Sequence, residues 1–393
     1  MRERNGALAG GESRRTSRFS SPPRSGKNPR CPHFGTCGGC LWQGGLKYRE
    51  QLRLKAELFE RVTGISAPIR GGSPRVWGGF RNVSNFIVTT AGIGLKEYGN
   101  PPIGVAGLSE CPPVFSKRTP EYLRALRAFL DETGLRPWDL RKKKGDVHYL
   151  QVREGKFTGE VMVNLVAHLK PSEDVAGAFR DYFSFADSLY WSVKGDGRDD
   201  PRGGEPGLIA GKPLVRERIG DVTYLVHPNG FFQTNSYALK SLLRSVEDFT
   251  DGERVLDLYS GVGTFGVHLA RRGFKVEGVE VNPPFAVEMA NKNAELNNAE
   301  ATFKVGRAEE TPLGDYDTVI VDPPRRGGLR EAGGELLVRS NVERIVYVSC
   351  NPEAFRRDYE NHLRKAYRLK DAVLVDMFPH TPHVEAVVLL ERV

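Results

Sequence analysis

The sequence predicts an α/β chain: a C-terminal doubly wound Rossmann-like domain, a β-rich central domain and a small N-terminal cysteine-bearing module. Three observations lead there. From about residue 215, β-branched apolar runs alternate with helical segments to the end of the chain, the pattern of a parallel sheet with helices on both faces. A glycine turn, Gly261 to Gly266, joins one of those strands to a helix. The run Ile345-Val346-Tyr347-Val348 ends abruptly in Ser349-Cys350-Asn351-Pro352, as a buried strand carrying a thiol to its carboxyl end would. Ligands of open α/β sheets sit beyond that end, so Cys350 is expected to face a site.

Length and charge bound the rest. A chain of 393 residues is enough for two or three domains with cores of their own. Residues 1–30 hold eight Lys or Arg against Glu3 and Glu12, which is +6 of the chain's net +8. The folded body is therefore close to neutral, and 1–30 reads as a disordered basic arm suited to weak phosphate contact. That arm lacks the apolar centre of a secretory signal, and no run approaches the ~18 apolar residues of a membrane span. A cytoplasmic protein is expected, without membrane contact and without an obligate protein partner. Five unevenly spaced cysteines argue against a disulfide framework.

In chain order, Cys31, Cys37 and Cys40 form a C-x5-C-x2-C cluster among glycines, and Cys111 is the natural fourth ligand. Thiolates this close hold a soft metal; an iron–sulfur cluster and a four-cysteine zinc both fit, though the second C-x2-C knuckle of a zinc ribbon is missing. His33 reads as a loop residue, with ligation the alternative. Residues 44–63 carry leucines and Phe59 among charges at helical spacing, a helix of about five turns closed by Gly64. Strands are expected at 86–90, 148–152, 161–166 and 189–193, with helices at 120–132 and 174–185 and a flexible stretch at 195–207. The run Arg141 to Lys144 beside Trp138 is a solvated turn or a phosphate contact. A strand at 223–226, a loop at 231–236 and a helix at 236–249 lead into the alternating half. There strands are expected at 254–259, 275–280, 301–305, 317–321, 344–349, 372–377 and 385–391. The boundaries expected are 1–30 for the arm, 31–74 for the cysteine module and linker helix, 75–214 for the central domain and 215–393 for the C-terminal domain.

The glycine turn implies an adenosine-bearing cofactor. Gly261 and Gly263 let the backbone approach a ligand, and Glu280, ending the next strand 23 residues after Asp257, can take both ribose hydroxyls. NAD is the competitor. S-adenosyl-L-methionine is favoured because the turn reads D-L-x-S-G-V-G-T-F-G, because the strand 318–322 ends in Asp322-Pro323-Pro324, and because a thiol ends a later strand of the same sheet. A plain strand-ending turn is the structural alternative for Asp322-Pro323-Pro324.

With these motifs on the page, the chain resembles the iron–sulfur-containing branch of the RNA 5-methyluridine methyltransferases. The resemblance runs from Cys31 to Val393. It is carried by Cys31, Cys37, Cys40 and Cys111, then Phe231-Phe232-Gln233, Asp257 to Gly263, Asp322-Pro323-Pro324-Arg325-Arg326-Gly327, Ser349-Cys350-Asn351-Pro352 and His383-Val384-Glu385. It implies a class I methyltransferase domain, a 4Fe-4S cluster on the four cysteines, and Gln233, Tyr259, Glu280 and Asp322 against S-adenosylmethionine. Thr264, in the same turn, is a further contact, and Arg325 and Arg326 are expected to face RNA.

It also implies the chemistry. Carbon 5 of uracil is a poor nucleophile until a thiolate adds to carbon 6, which is the task of Cys350. Glu385 is then the base that removes the carbon 5 proton. His380 and His383 are minor rivals for that role. The target base must leave its stack, which favours loop uridines. Some relatives begin with a small RNA-binding barrel where this chain has its basic arm. Large-subunit ribosomal RNA is the expected substrate and the tRNA T-loop the next. An enzyme acting on an exocyclic amine or on cytosine, and a non-catalytic RNA-binding protein, are the competing classes.

Overall fold

The computed structural model describes residues 31–393 apart from 43–45, 71–72, 98–103, 199, 203, 282–283, 325–328 and 330. The basic arm, and Arg325 and Arg326, lie outside the described residues.

After the cysteine segment comes helix α1 (Tyr48–Thr63), closed by Gly64 in the left-handed conformation. The central domain is a seven-stranded sheet of β1 (Val83–Thr89), β2 (Gly92–Lys96), β3 (Val105–Gly107), β4 (Val147–Glu154), β5 (Val161–Ala167), β6 (Ser188–Val193) and β7 (Glu205–Gly211), in the order β3-β2-β1-β4-β5-β6-β7. Helices α2 (Thr119–Thr133) and α3 (Glu173–Tyr182) contribute Phe129 and Phe179 to a core that also holds Phe86, Phe183 and Trp191. Strands β2, β3 and β7 escape the sequence pattern because they are short or carry Gly and Pro; β3 and β7 are the two edges, where such residues are tolerated. The stretch expected to be flexible therefore turns into strand at Glu205.

A hairpin of β8 (Val215–Ile219), also unexpected, and β9 (Val222–Val226) leads to α4 (Ser236–Phe249). The second seven-stranded sheet follows. It consists of β10 (Arg254–Leu258), β11 (Lys275–Glu280), β12 (Ala301–Val305), β13 (Thr318–Val321), β14 (Arg344–Ser349), β15 (Tyr367–Val375) and β16 (Glu385–Arg392). Helices α5 (Thr264–Ala270), α6 (Pro284–Leu296), α7 (Glu331–Arg339) and α8 (Pro352–Asn361) alternate with them. The order β12-β11-β10-β13-β14-β16-β15 reverses at β10, the topological switch point where such sheets bind ligands.

The sheet is not parallel throughout, as the sequence alternation suggested. β16 returns from β15 without a crossover helix and inserts antiparallel between β14 and β15. Alternate residues of the central strands feed opposite cores: Val255, Ile320 and Val346 on one face, Leu256, Val319, Val321 and Tyr347 on the other. Phe59 of α1 joins the second core, and residues 68–70 pair beside β15 through Leu374. The helix after the cysteines is thereby fixed to the C-terminal sheet.

Candidate active site

Three carboxyl groups meet in the crevice at the switch point. Parallel neighbours β10, β11 and β13 end in Asp257-Leu258, Glu280 and Val321-Asp322, so their carboxylates converge at one edge. The turn between them is tight: Tyr259, Gly261 and Gly263 have φ of 62°, 54° and 78°. Gly261 donates its N–H to Glu280 Oε2 at 3.1 Å. Asp257 is fully buried and accepts from the Gly266 N–H at 3.0 Å through Oδ2, while its Oδ1 has no partner among the described residues. Burial, with Asp322 and Glu280 adding to it, pushes the Asp257 carboxyl up to about 8. Burial and the Glu280 carboxylate likewise raise Asp322. A buried acceptor without a donor, beside two further carboxylates, calls for a ligand rich in donors or positive charge. The amine, ribose hydroxyls and sulfonium of S-adenosylmethionine meet that description. Thr264, buried, opens α5, and its carbonyl accepts from Tyr224. Sequence reading left Asp257 out of the cofactor contacts, although it stands in the same motif.

A second cavity, of about 220 Å³, lies at the end of β14. Cys350 lines it with Gly39, Phe80, Arg81, Thr234, Phe378, Pro379, Thr381 and His383. The local sequence explains how the thiol gets there. Asn351 caps α8, its Oδ1 accepting from Glu353 and Ala354, and Pro352 follows at the first helical position, where no N–H is needed. Glu385 is buried as the first residue of β16. Ser349 pairs with Ala386, so Cys350 and Glu385 each adjoin one member of that pair in the chain. Gln233 is buried next to Thr234, and its carbonyl accepts from Asn82 Nδ2 at 2.8 Å.

The cysteines approach this cavity from behind. Cys31 and Cys111 are buried, and Cys37 and Cys40 half-buried. The segment pairs with the edge of the central sheet through Cys37 and Glu97, with the Gly38 N–H on the Lys96 carbonyl. Burial raises all four thiols, Cys111 to about 11, and Cys40 feels the other three as neighbouring charges. Arg81, one wall of the cavity, has a buried Nε without a hydrogen-bond partner and interacts with Cys40 and Cys111. Among the described residues no three His, Cys, Asp or Glu side chains are gathered so as to hold a metal ion. His33 lies 3.4 Å from the Ser109 N–H and hydroxyl, as a loop-fixing residue would.

The loop between β15 and β16 is tied to α1. Lys55 Nζ reaches Asp376 Oδ1 at 2.5 Å and the Phe378 carbonyl at 2.9 Å, with both side chains of the ion pair wholly buried. Tyr48 donates to the other Asp376 oxygen at 2.7 Å. Removing one partner of such a pair costs about 3–5 kcal/mol, because the other is left charged and dry. His380 and Glu385 are both buried and neither lines this cavity, whereas His383 does; His380 is held by Gln51 and the Val76 carbonyl. Arg81, Lys55, Asp376 and Tyr48 escaped sequence reading, since their partners lie far away in the chain.

Among the described residues, no helix is long and apolar enough to cross a membrane. The family described as tRNA (Uracil-5-)-methyltransferase matches residues 304–393, and the methyltransferase small domain matches 225–342. The chain is 57% identical to the 23S rRNA (uracil(747)-C(5))-methyltransferase of Pyrococcus horikoshii, over 92% of this chain and 85% of that protein. It is 46% identical to the tRNA (uracil(54)-C(5))-methyltransferase of the same organism, over 94% of this chain and 87% of that one. The crystal structure of Pyrococcus abyssi tRNA (uracil-54, C5)-methyltransferase in complex with S-adenosyl-L-homocysteine superposes with a TM-score of 0.81 at 42% identity, covering 92% of this chain and 86% of that one.

Proposed function

The chain belongs to the S-adenosylmethionine-dependent RNA (uracil-C5)-methyltransferases, and from that premise we propose that it forms 5-methyluridine in large-subunit ribosomal RNA. The observation that carries the substrate choice is the identity margin within one organism, 57% to the ribosomal enzyme against 46% to the transfer RNA enzyme. The target would be the uridine equivalent to that named for the ribosomal relative.

Cys350 is the nucleophile of this reading. Its thiolate adds to carbon 6 of an extruded uridine, and the displaced electron pair moves to oxygen 4, leaving carbon 5 nucleophilic. Bound S-adenosylmethionine supplies an electrophilic methyl group for carbon 5. Glu385 then accepts the carbon 5 proton, and the electrons left behind expel the thiolate. Asp257, Glu280 and Asp322 would hold the cofactor's amine and ribose hydroxyls, with Tyr259, Gly261, Thr264 and Gln233 completing its pocket.

The four cysteines would hold a 4Fe-4S cluster. What supports this is that the thiols sense one another, Cys40 having Cys31, Cys37 and Cys111 as neighbours, and that closely spaced thiolates suit a soft metal or an iron–sulfur cluster. Arg81, which lacks a carboxylate partner among the described residues, balances the negative charge of such a cluster.

The deciding experiment offers purified enzyme and radiolabelled cofactor to 23S rRNA and tRNA transcripts, followed by nucleoside mapping. Methyl label at one 23S uridine is expected. Label at the T-loop uridine alone would transfer the reading to tRNA, and label on cytidine would overturn it.

A further inference from the structure

We propose that His380 is a positioning residue through which the cysteine segment and α1 set the loop that ends in Glu385. The inference rests on the reading of Glu385 as the base. His380 sits halfway along the loop that joins β15 to β16, with φ of 65°, a conformation that residues with side chains rarely adopt. Its partners come from residues 41–77, between the cysteine segment and the central sheet. Its carbonyl accepts from the N–H groups of Leu41 and Trp42, at 2.9 and 3.0 Å, directly after Cys40. Its own N–H donates to Gln51 Oε1 at 3.0 Å.

The ring is used on both sides. Nδ1 lies 3.3 Å from Gln51 Nε2 and Nε2 lies 3.0 Å from the Val76 carbonyl, so Nδ1 accepts and Nε2–H donates. Trp77 packs against the ring at 4.4 Å. Meanwhile Phe378, Pro379, Thr381 and His383, on either side of His380, line the cavity that holds Cys350. One face of the loop is thus bolted to the cysteine segment while the other shapes the substrate cavity, and the strand beginning with Glu385 follows immediately. A strained backbone persists only where its surroundings over-determine it, and here those surroundings are five hydrogen bonds to Leu41, Trp42, Gln51 and Val76.

The test compares His380→Ala, Gln51→Ala and Glu385→Gln in the full chain. A base displaced by about 1 Å loses roughly 100-fold in rate. His380→Ala is expected to lower kcat by about that factor, with KM for RNA and affinity for S-adenosylhomocysteine unchanged. Covalent protein–RNA adduct should collect on unmodified RNA, as it should for Glu385→Gln. Gln51→Ala should move both readouts the same way, and decides the matter if His380→Ala does not fold. His380→Asn, which tolerates the left-handed backbone and keeps a side-chain acceptor, should restore turnover. Parental kcat in Gln51→Ala and in folded His380→Ala overturns the proposal. So does slow turnover without adduct while Glu385→Gln does collect it. If Glu385→Gln itself collects none, the base reading has failed, and this inference with it.

Discussion

Ser349, the last residue of β14, pairs with Ala386 of β16, and Cys350 and Glu385 are the residues next to that pair in the chain. The proposed nucleophile and base act on adjacent carbons of one flat ring, and the Ser349–Ala386 pair ties together the two segments that carry them. The insertion of β16 beside β14, the one departure from a parallel sheet, is what creates the pairing.

RNA carrying 5-fluorouridine at the target should therefore trap the enzyme covalently after methyl transfer, since fluorine cannot leave as a proton does. Cys350→Ala should abolish the adduct in a denaturing gel while leaving S-adenosylhomocysteine binding intact, because the thiol ends β14 and the carboxylate crevice lies at β10, β11 and β13. An adduct that survives the substitution would assign the nucleophile elsewhere.

Removal of the base separates bond formation from release. Glu385→Gln keeps shape and hydrogen bonding but accepts no proton, so methyl transfer should proceed and thiol expulsion stall. Turnover should fall by about 10²–10⁴-fold, with methylated adduct visible on ordinary RNA in a single-turnover assay. A fast variant without adduct would point to another proton acceptor, His383 first, since it lines the cavity.

The contrast between those two residues and their supports shows what a sequence displays. Cys350 was visible as the residue after a β-branched run closed by Asn351-Pro352, whereas Glu385 was named only through the family resemblance. The strands at β10, β11 and β14 were legible for the same reason as Cys350. Strands β2, β3 and β7 were not, because short or part-exposed strands with Gly or Pro carry no clear alternation. Nor was the Lys55–Asp376 pair, whose partners are 321 residues apart. A lysine at helical spacing reads as a solvated charge until tertiary packing buries it. Asp257 falls between these cases, visible as a strand end but with a role that depends on its partnerless oxygen.

The cysteine reading is checked by colour and iron. Protein purified under nitrogen should be brown, with about four iron and four sulfide per chain if the cubane assignment holds. Cys111→Ser should cost the cluster even though Cys111 lies 71 positions beyond Cys40 in the sequence, since it supplies the fourth thiolate. Arg81→Leu should make the cluster harder to reduce, because a positive charge beside Cys40 and Cys111 is lost. A colourless protein with one zinc would refute the assignment.

Cofactor binding should depend on pH through Asp257. In the free protein its carboxyl is pushed up to about 8, so it holds a proton at neutral pH. A cationic amine placed against Oδ1 favours the ionised form and lowers that value, so binding expels the proton. The sign follows: affinity for S-adenosylhomocysteine should be highest above pH 8 and fall as pH drops, by up to about tenfold per unit while Asp257 must be deprotonated to bind. Stability of the free protein runs the other way. A carboxyl whose folded value is raised favours the fold fully below its unfolded value, and that contribution shrinks as pH rises toward 8. Asp257→Asn removes the titration, so calorimetric titrations between pH 6 and 9 should show a flat, weaker affinity for the variant. An unchanged slope in that variant would assign the proton to another group in the crevice, Asp322 being the next raised carboxyl.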